Sequence, residues 1–361
     1  MKKVFLNCIY EENLGDDLLI KQVCERYKNT LFIHPTYFKS KNKCNISNLK
    51  IIKVNEYIYR GFRKLGTKLN KLNIIDKIIM KNCDYIVTVG GSMFIEYKNQ
   101  CKDYKFIWYK NLSKPYYIIG TNIGPVYTKK YLLDLQNIIF KNAQDVCVRD
   151  KKSYDMIKKL ENVRLSTDIV FSYDMSKYKN KKTSQKVVIS IINCERKKSQ
   201  MRQVSQEKYE KKILEIIEFF KRKNYEVELF SFCKHEGDED AIKRILKEVN
   251  DNSINYYFYD GNIDKALEEL NSAKIIVGTR FHANVLGLLL EKTILPIIYN
   301  DKTRNLLEDI NFKGKYIDME KLDEFDIQKI TDQDLEYKCD VSQQISQAQH
   351  HFLTLDQVLE R

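Results

Sequence analysis

The chain has 361 residues, of which 62 are Lys or Arg and 49 are Asp or Glu, so its formal net charge is +13. A hydrophobic content of 43% with only 4 Pro and 12 Gly excludes a mainly disordered protein. No apolar stretch is long enough for a membrane span or a signal-peptide core, and nine scattered Cys without C-x-x-C spacing predict a reducing, cytoplasmic location.

Residues 1–172 are predicted to form a first α/β domain. Short β-rich apolar runs at 4–9, 86–89, 116–119 and 146–148 each end at a polar residue, a glycine or an arginine, and a helical pattern follows each one. Strands that alternate with helices in this way are typical of β-α units, which build a parallel sheet.

The alternation starts again after a polar linker at residues 173–185. Residues 186–338 contain predicted strands at 186–192, 227–232, 254–259, 275–277 and 294–298, with helices at 209–223 and 238–249. A final amphipathic helix is predicted at 339–361. The fold class is therefore α/β, with two Rossmann-like domains that face a cleft. Ligand-binding residues should follow directly after strands, because strand carboxyl ends line the crevice in such folds.

The positive charge lies in the first half of the chain. Residues 1–172 contain 31 basic and 16 acidic residues, and the remainder contains 31 and 33. Apolar and basic residues interleave at helical spacing within residues 56–81, which suits a helix in an anionic membrane interface. A solvated basic flank of the first domain explains the same pattern equally well.

Three glycine-containing corners follow predicted strands in the first half. Asn13, Gly15 and Asp16 lie before an apolar periodic run, where they suit either a helix cap or a sugar-hydroxyl site. The other two corners have the same ambiguity: Gly90, Gly91 and Ser92 can cradle an anion, and Thr121 and Asn122 can bind sugar hydroxyls or simply form a turn.

Arg149 follows the strand at 146–148, where its guanidinium can hold a carboxylate or phosphate through two hydrogen bonds. The next residue, Asp150, is interpreted as a helix cap. Asp168 lies at the border of the first domain and is a candidate acid, base or cap.

Cationic side chains are concentrated after the strand at 275–277. Arg280 and His282 precede an apolar helix, and Lys302 follows the next strand. Of the five His, His350 and His351 are expected in an exposed tail and His235 in a charged loop. The cationic group suits an anion that carries both carboxylate and phosphate.

These segments together resemble the polysaccharide pyruvyl transferase family. The matching residues are Asn13-Leu-Gly-Asp16, Gly90-Gly-Ser92, Ile123-Gly-Pro125, Val148-Arg-Asp150 with Ser153, Thr167-Asp168, Arg280-Phe-His-Ala283 and Tyr299-x-x-Lys302. The resemblance implies a GT-B-like fold and transfer of pyruvate, as a ketal, from phosphoenolpyruvate to a sugar diol of a glycan or its lipid-linked precursor. Tyr10, Glu11 and Glu12 stand where members usually carry glycines.

The resemblance also implies roles for these residues. His282 and Asp16 are expected to be catalytic. Phosphoenolpyruvate would lie against Arg149, Arg280 and Lys302, with the Gly90–Ser92 corner beside them, and the acceptor would lie against Asn13, Gly15, Thr121, Asn122 and Asp168. The reaction needs neither a metal nor a cofactor besides phosphoenolpyruvate.

Two other classes of protein remain open on the sequence alone. A nucleotide-sugar glycosyltransferase of the same shape would want an acid pair in the second half of the cleft, and no convincing pair is visible. A nucleic-acid-binding protein would explain the basic half, but the chain lacks the motifs of known nucleic-acid-binding folds.

Overall fold

The computed structural model describes residues 1–36, 46–97, 103–179, 184–197 and 205–359. Thirteen strands lie in these ranges, and they form two sheets. The first contains β1 Lys2–Asn7, β2 Thr30–Thr36, β3 Leu49–Lys53, β4 Tyr85–Val89, β5 Tyr116–Thr121, β6 Asp145–Val148 and β7 Val163–Leu165. The second contains β8 Lys186–Ile191, β9 Glu226–Ser231, β10 Asn255–Phe258, β11 Ile275–Gly278, β12 Thr293–Ile298 and β13 Ile317–Asp318.

Helices cover both sheets. They are α1 Leu14–Arg26, α2 Glu56–Leu69, α3 Ile74–Lys81, α4 Tyr104–Lys110, α5 Lys129–Asp134 with a π-helical continuation Leu135–Phe140, α6 Lys151–Ile157, α7 Ser176–Lys179, α8 Gln206–Arg222, α9 Asp238–Val249, α10 Ile263–Ser272, α11 Phe281–Leu289, α12 Asp301–Asp309, α13 Ser342–Ala348 and α14 Leu355–Val358. Short 3₁₀ turns include Ile169–Ser172 and Gln349–Phe352.

Both sheets are parallel and doubly wound. The strand order is β3-β2-β1-β4-β5-β6-β7 in the first and β10-β9-β8-β11-β12-β13 in the second. Every pairing between these strands is parallel. β5, β8 and β12 are buried along their whole length, as strands covered on both faces require. This architecture confirms the predicted fold class.

The nine predicted strands are all present, with ends that differ from the prediction by no more than two residues. Four strands were not predicted: β2, β3, β7 and β13. In β2 the apolar run is interrupted by His34 and Pro35, and β7 and β13 have only three and two residues, which is too short for a visible period.

The C-terminal segment is less regular than predicted. A single helix was expected at 339–361, but the structure has two short helices joined by a 3₁₀ turn. The segment returns to the first domain, where Ser166 Oγ donates to Gln347 O at 2.8 Å and Arg26 makes two hydrogen bonds with the Asp356 carboxylate. The chain therefore crosses between the sheets twice.

His351 was expected in an exposed tail, and that expectation is wrong, because the side chain is fully buried. Its Nδ1 accepts a hydrogen bond from Gly120 N at 3.3 Å, and Nε2 lies 2.7 Å from Thr167 O. This pattern requires the neutral ring with its proton on Nε2. Burial lowers the pKa of His351 to about 4.

This histidine predicts a pH-dependent stability. The unfolded chain takes up a proton near the ordinary pKa of about 6.5, whereas the folded ring resists protonation until about pH 4. Stability should therefore fall as pH drops from about 6.5 to 4, with a loss of roughly 1 to 3 kcal/mol from this residue. Urea unfolding at pH 7 and pH 5 checks this: His351→Gln should show a smaller drop than the original chain. An equal drop in both proteins would contradict it.

Candidate active site

The predicted site residues lie at the carboxyl ends of the strands, in the cleft between the sheets. In the first sheet the chain reverses its winding direction between β1 and β4, and in the second between β8 and β11. Asn13 follows β1, Gly90 follows β4, and Arg280 and His282 follow β11. Ligands of open parallel sheets bind at these switch points, so the topology brings the two halves of the predicted site together.

The loop after β1 contacts the second domain directly. Asn13 caps α1, because its side-chain oxygen accepts from Gly15 N at 3.1 Å. Leu14 N donates to Phe232 O at 3.1 Å, and Asp17 accepts from Tyr259 OH at 2.7 Å. The predicted capping role of Asn13 is therefore correct, and the start of α1 forms part of the domain interface.

Gly15 allows a close approach between the two domains. A Cβ atom at this position would lie 1.9 Å from Nδ1 of His282, which is far inside van der Waals contact. The backbone of α1 and the imidazole therefore meet only because residue 15 lacks a side chain. Asp16, the predicted partner of an acceptor hydroxyl, lies next to this contact in the half-buried first turn of α1.

His282 is held as a neutral ring. Its side chain is 13% exposed, and Nε2 makes no hydrogen bond within the described residues, although Asp168 Oδ2 lies 3.9 Å away. Burial lowers the pKa of His282 to about 4; Asp168 opposes this shift, and the positive charges of Arg149, Lys302 and Arg280 add to it. The imidazole is thus ready to accept a proton from, or share one with, a ligand.

Arg149 occupies the centre of the first-domain side of the site. Its Nη1 donates to Asp168 Oδ2 at 2.8 Å and its Nη2 to Asn122 Oδ1 at 2.8 Å. A Cβ at Gly91 would come within 2.8 Å of Nη1, so this glycine makes room for the guanidinium. These two hydrogen bonds use two of the five N–H donors of an arginine, which leaves donors for an anion.

A side chain of the second domain packs against the guanidinium of Arg149. The Phe281 ring, at the start of α11, lies 4.6 Å from Cζ of Arg149, within the range of a cation–π contact. A small pocket opens here, and its lining includes Arg149, Asp168, Phe281, Lys302 and Gln344. Arg149 and Lys302, from opposite domains, therefore share one cavity.

The turn at Gly90–Ser92 and the turn that follows β5 hold Arg149 in place more than they line the cleft. Thr121 is fully buried and its hydroxyl donates to Gly91 O at 3.0 Å, so its side chain joins the two turns, and its role in acceptor binding stays a prediction. Ser92 Oγ donates to Asn122 Oδ1 at 3.3 Å. Gly90 has a φ of +158° and begins this turn.

Arg280 was expected to offer its guanidinium to the donor, but the structure pairs it elsewhere. Its Nε donates to Asp238 Oδ2 at 3.0 Å, Nη2 contacts Asp238 Oδ1, and Nη1 contacts Glu236. The side chain is buried, so this carboxylate partner compensates its charge. In the structure these two carboxylates hold the Arg280 guanidinium, and its role in donor binding stays a prediction.

Asp238 is the site residue that the sequence analysis missed. Besides Arg280, it accepts hydrogen bonds from Phe232 N at 3.1 Å and Cys233 N at 2.9 Å, in the loop that touches α1. The sequence signal for Asp238 was the predicted start of a helix at this position. Its partner Arg280 lies 42 residues later in the chain, so no local sequence pattern reveals the pair. Asp150 caps α6 through Ser153 N at 2.8 Å, as predicted.

The described residues contain no group of three or more His, Cys, Asp or Glu arranged to hold a metal ion. They also contain no helix that is long and apolar enough to cross a membrane.

Two doubly wound parallel sheets that face each other across a cleft form a two-domain Rossmann-like fold of the GT-B type. The UDP-GlcNAc 2-epimerase of Neisseria meningitidis bound to UDP-GlcNAc has a similar fold, with a TM-score of 0.62, 9% identity and 99% of both chains covered. The Methanocaldococcus jannaschii UDP-GlcNAc 2-epimerase in complex with UDP-GlcNAc and UDP gives a TM-score of 0.58 at 10% identity, over 99% of this chain and 100% of that one.

The sequence itself decides the family. Residues 13–301 match the model of the polysaccharide pyruvyl transferase family, so the chain belongs to that family. The amylovoran biosynthesis protein AmsJ of Erwinia amylovora is 19% identical over 293 residues, which cover 72% of this chain and 67% of AmsJ. The expected family membership is therefore confirmed.

The contact between Gly15 and His282 predicts a selective loss of activity. Gly15→Ala places a methyl group where the imidazole lies, so the ring or the domains must shift. A displacement of about 1 Å at a catalytic group costs on the order of 100-fold in rate, and we expect a loss of this size in kcat/KM for the transferase reaction.

Gly61→Ala is the matched control, because nothing lies within 4 Å of a Cβ there and an alanine favours the surrounding α2 helix by about 1 kcal/mol. It should leave kcat/KM unchanged. Full activity in Gly15→Ala would show that the approach of His282 to α1 is irrelevant to catalysis.

Proposed function

We propose that this protein transfers pyruvate from phosphoenolpyruvate to two hydroxyls of a sugar in a cell-surface or capsular glycan, or in its lipid-linked precursor, and that it does so in the cytoplasm. The products are a cyclic ketal and phosphate. Family membership supports pyruvyl transfer, and similarity to an amylovoran biosynthesis protein supports a polysaccharide acceptor. The observation that carries the proposal is the neutral, mostly buried His282 beside the Arg149 and Lys302 cavity.

The chemistry needs one proton carrier. Carbon 3 of phosphoenolpyruvate gains a proton, carbon 2 becomes cationic, and the first sugar oxygen bonds to it. The bond from carbon 2 to the phosphate oxygen then breaks, and the second sugar oxygen takes its place. Of the two hydroxyl protons, one ends on the new methyl group and the other on phosphate. A residue that donates and accepts in turn can serve both steps.

We assign this role to His282. Free of ligand, its pKa is about 4 because burial and nearby cations disfavour the imidazolium. A bound anion reverses this effect, because opposite charge favours the charged ring. The ring thus takes up a proton with the donor, gives it to carbon 3, and recovers one from an acceptor hydroxyl.

Arg149 and Lys302 hold the anionic groups of the donor. Arg149 is already fixed by Asp168 and Asn122, so it loses little freedom when a ligand binds, which favours binding. The rate benefits as well, since fixed cations stabilise charge as phosphate departs. We propose that Asp16, near His282 in the first turn of α1, orients the acceptor hydroxyl.

Donor identity is tested by thermal unfolding with two ligands. Phosphoenolpyruvate should raise the unfolding temperature, because a ligand that binds only the folded state stabilises it. Uridine-diphosphate sugars should not. A shift with the UDP sugars alone would replace the proposal by a nucleotide-sugar glycosyltransferase.

His282 is tested by phosphate release from phosphoenolpyruvate and an acceptor glycan. His282→Ala should lower the rate by about 100- to 10,000-fold, the range of general acid–base catalysis. The control His350→Gln changes an exposed histidine and should be fully active. A normal rate in His282→Ala would remove this residue from the mechanism.

Proton uptake gives a sharper test of the same residue. Binding of phosphoenolpyruvate between pH 5 and 6 should draw a proton onto His282, because its pKa is about 4 in the free protein and rises in the complex. Calorimetry in buffers with different ionisation enthalpies measures the uptake. His282→Gln should take up about one proton fewer, and an unchanged uptake would contradict the assignment.

A further inference from the structure

The outer side of α2 and α3 carries large apolar side chains that are strongly exposed. We name this surface the α2–α3 face. Its apolar residues are 39% to 62% exposed, and they are Ile58, Phe62, Leu65 and Leu69 on α2 and Ile74 and Ile78 on α3. Scattered exposed apolar residues are ordinary on soluble proteins, but a contiguous group marks an interaction surface.

The spacing of these residues puts them on one side of α2. Ile58, Phe62, Leu65 and Leu69 follow each other at steps of four, three and four, which is the period of a single helix stripe. Among all residues of α2, only Gly66 is buried. The stripe thus has the spacing of a core helix, yet within the described part of the chain it stays exposed.

Polar contacts on the inner side hold the two helices in place without the stripe. Asp76 is buried and accepts hydrogen bonds from Trp108 Nε1 at 3.1 Å and from Tyr59 OH. Tyr104 OH accepts from Asn73 N at 2.7 Å, and Arg63 lies over the Tyr104 ring. Residues outside the apolar stripe therefore anchor α2 and α3 to the body of the first domain.

Positive charge surrounds the apolar stripe. Residues 56–81 contain seven Lys or Arg and two acidic residues. Of these two acids, Glu56 pairs with Arg60 on the same helix, and Asp76 is buried. The solvent-facing charge of the α2–α3 face is therefore almost wholly cationic.

We propose that the α2–α3 face binds the surface of an anionic membrane. Apolar side chains would enter the boundary between headgroups and acyl chains, and each Lys or Arg near the surface would add about 1 kcal/mol. A second copy of the chain is a poorer occupant, because it would present the same cations to this face.

The position of the face relates it to the cleft. α2 begins at Glu56, three residues after β3 ends at Lys53, so its first turn lies at the carboxyl edge of the sheet, the edge that carries the site. Docking would bring the cleft close to the lipid surface. Only the idea that the acceptor is lipid-linked rests on the proposed function; membrane binding itself does not.

The test is co-sedimentation of the full chain with vesicles. Phosphatidylcholine vesicles containing 30% phosphatidylglycerol should bind the protein at moderate salt, and pure phosphatidylcholine vesicles should bind it at least tenfold less well. Leu65→Ser with Lys68→Glu removes one apolar and reverses one cationic side chain of the face, and should weaken binding at least tenfold.

Leu133→Ser with Lys141→Glu is the control. It makes the same chemical change at two exposed positions of the first domain outside the face, and should bind like the original chain. Failure of the original chain to bind anionic vesicles, or equal weakening in both variants, would overturn the proposal. So would self-association that Leu65→Ser with Lys68→Glu abolishes. Phosphate release with a soluble acceptor should be equal in all three proteins, which separates docking from the reaction.

Discussion

The buried guanidinium of Arg149 is the constraint on which the site depends. A charge removed from water must be paired and hydrogen-bonded, because an uncompensated one costs several kcal/mol. Asp168 and Asn122 supply the partners and Gly91 supplies the space. These residues lie beyond the ends of different strands of the first sheet, so satisfying one side chain sets the shape of that edge. Phe281, from the second domain, packs against the same guanidinium.

The second domain contributes His282, and the charge of this histidine depends on what occupies the cleft. Four ionic neighbours act on His282, and three of them are cations. An empty cleft therefore favours a neutral ring, and an anion favours an imidazolium. The contact with Gly15 keeps the ring close to α1, where the acceptor is expected. In the proposed reaction, the donor side and the acceptor side would thus share one titrating group, His282, at the domain boundary.

The fold and the rough location of the site could be predicted because both are encoded locally. Central parallel strands are continuous apolar runs, and the residues that follow them converge at one edge of each sheet. Partners that join distant segments leave no such local pattern. Arg280 looks like an anion holder in sequence, yet it is paired with Asp238 forty-two residues earlier. His351 looks exposed among polar neighbours, and only the return of the C-terminal segment buries it between Gly120 and Thr167.

That returning segment also limits how the two halves can move. The chain passes from β7 to β8 and later comes back from β13 to the first domain, so the second sheet is attached at both of its ends. A body joined to another at two separate points turns most easily about the line between them. Widening of the cleft therefore has one preferred rotational degree of freedom, and relative sliding of the sheets would strain both connections. Gln344, which lines the Arg149 pocket, belongs to the second connection, so such a rotation would also change the volume of that pocket.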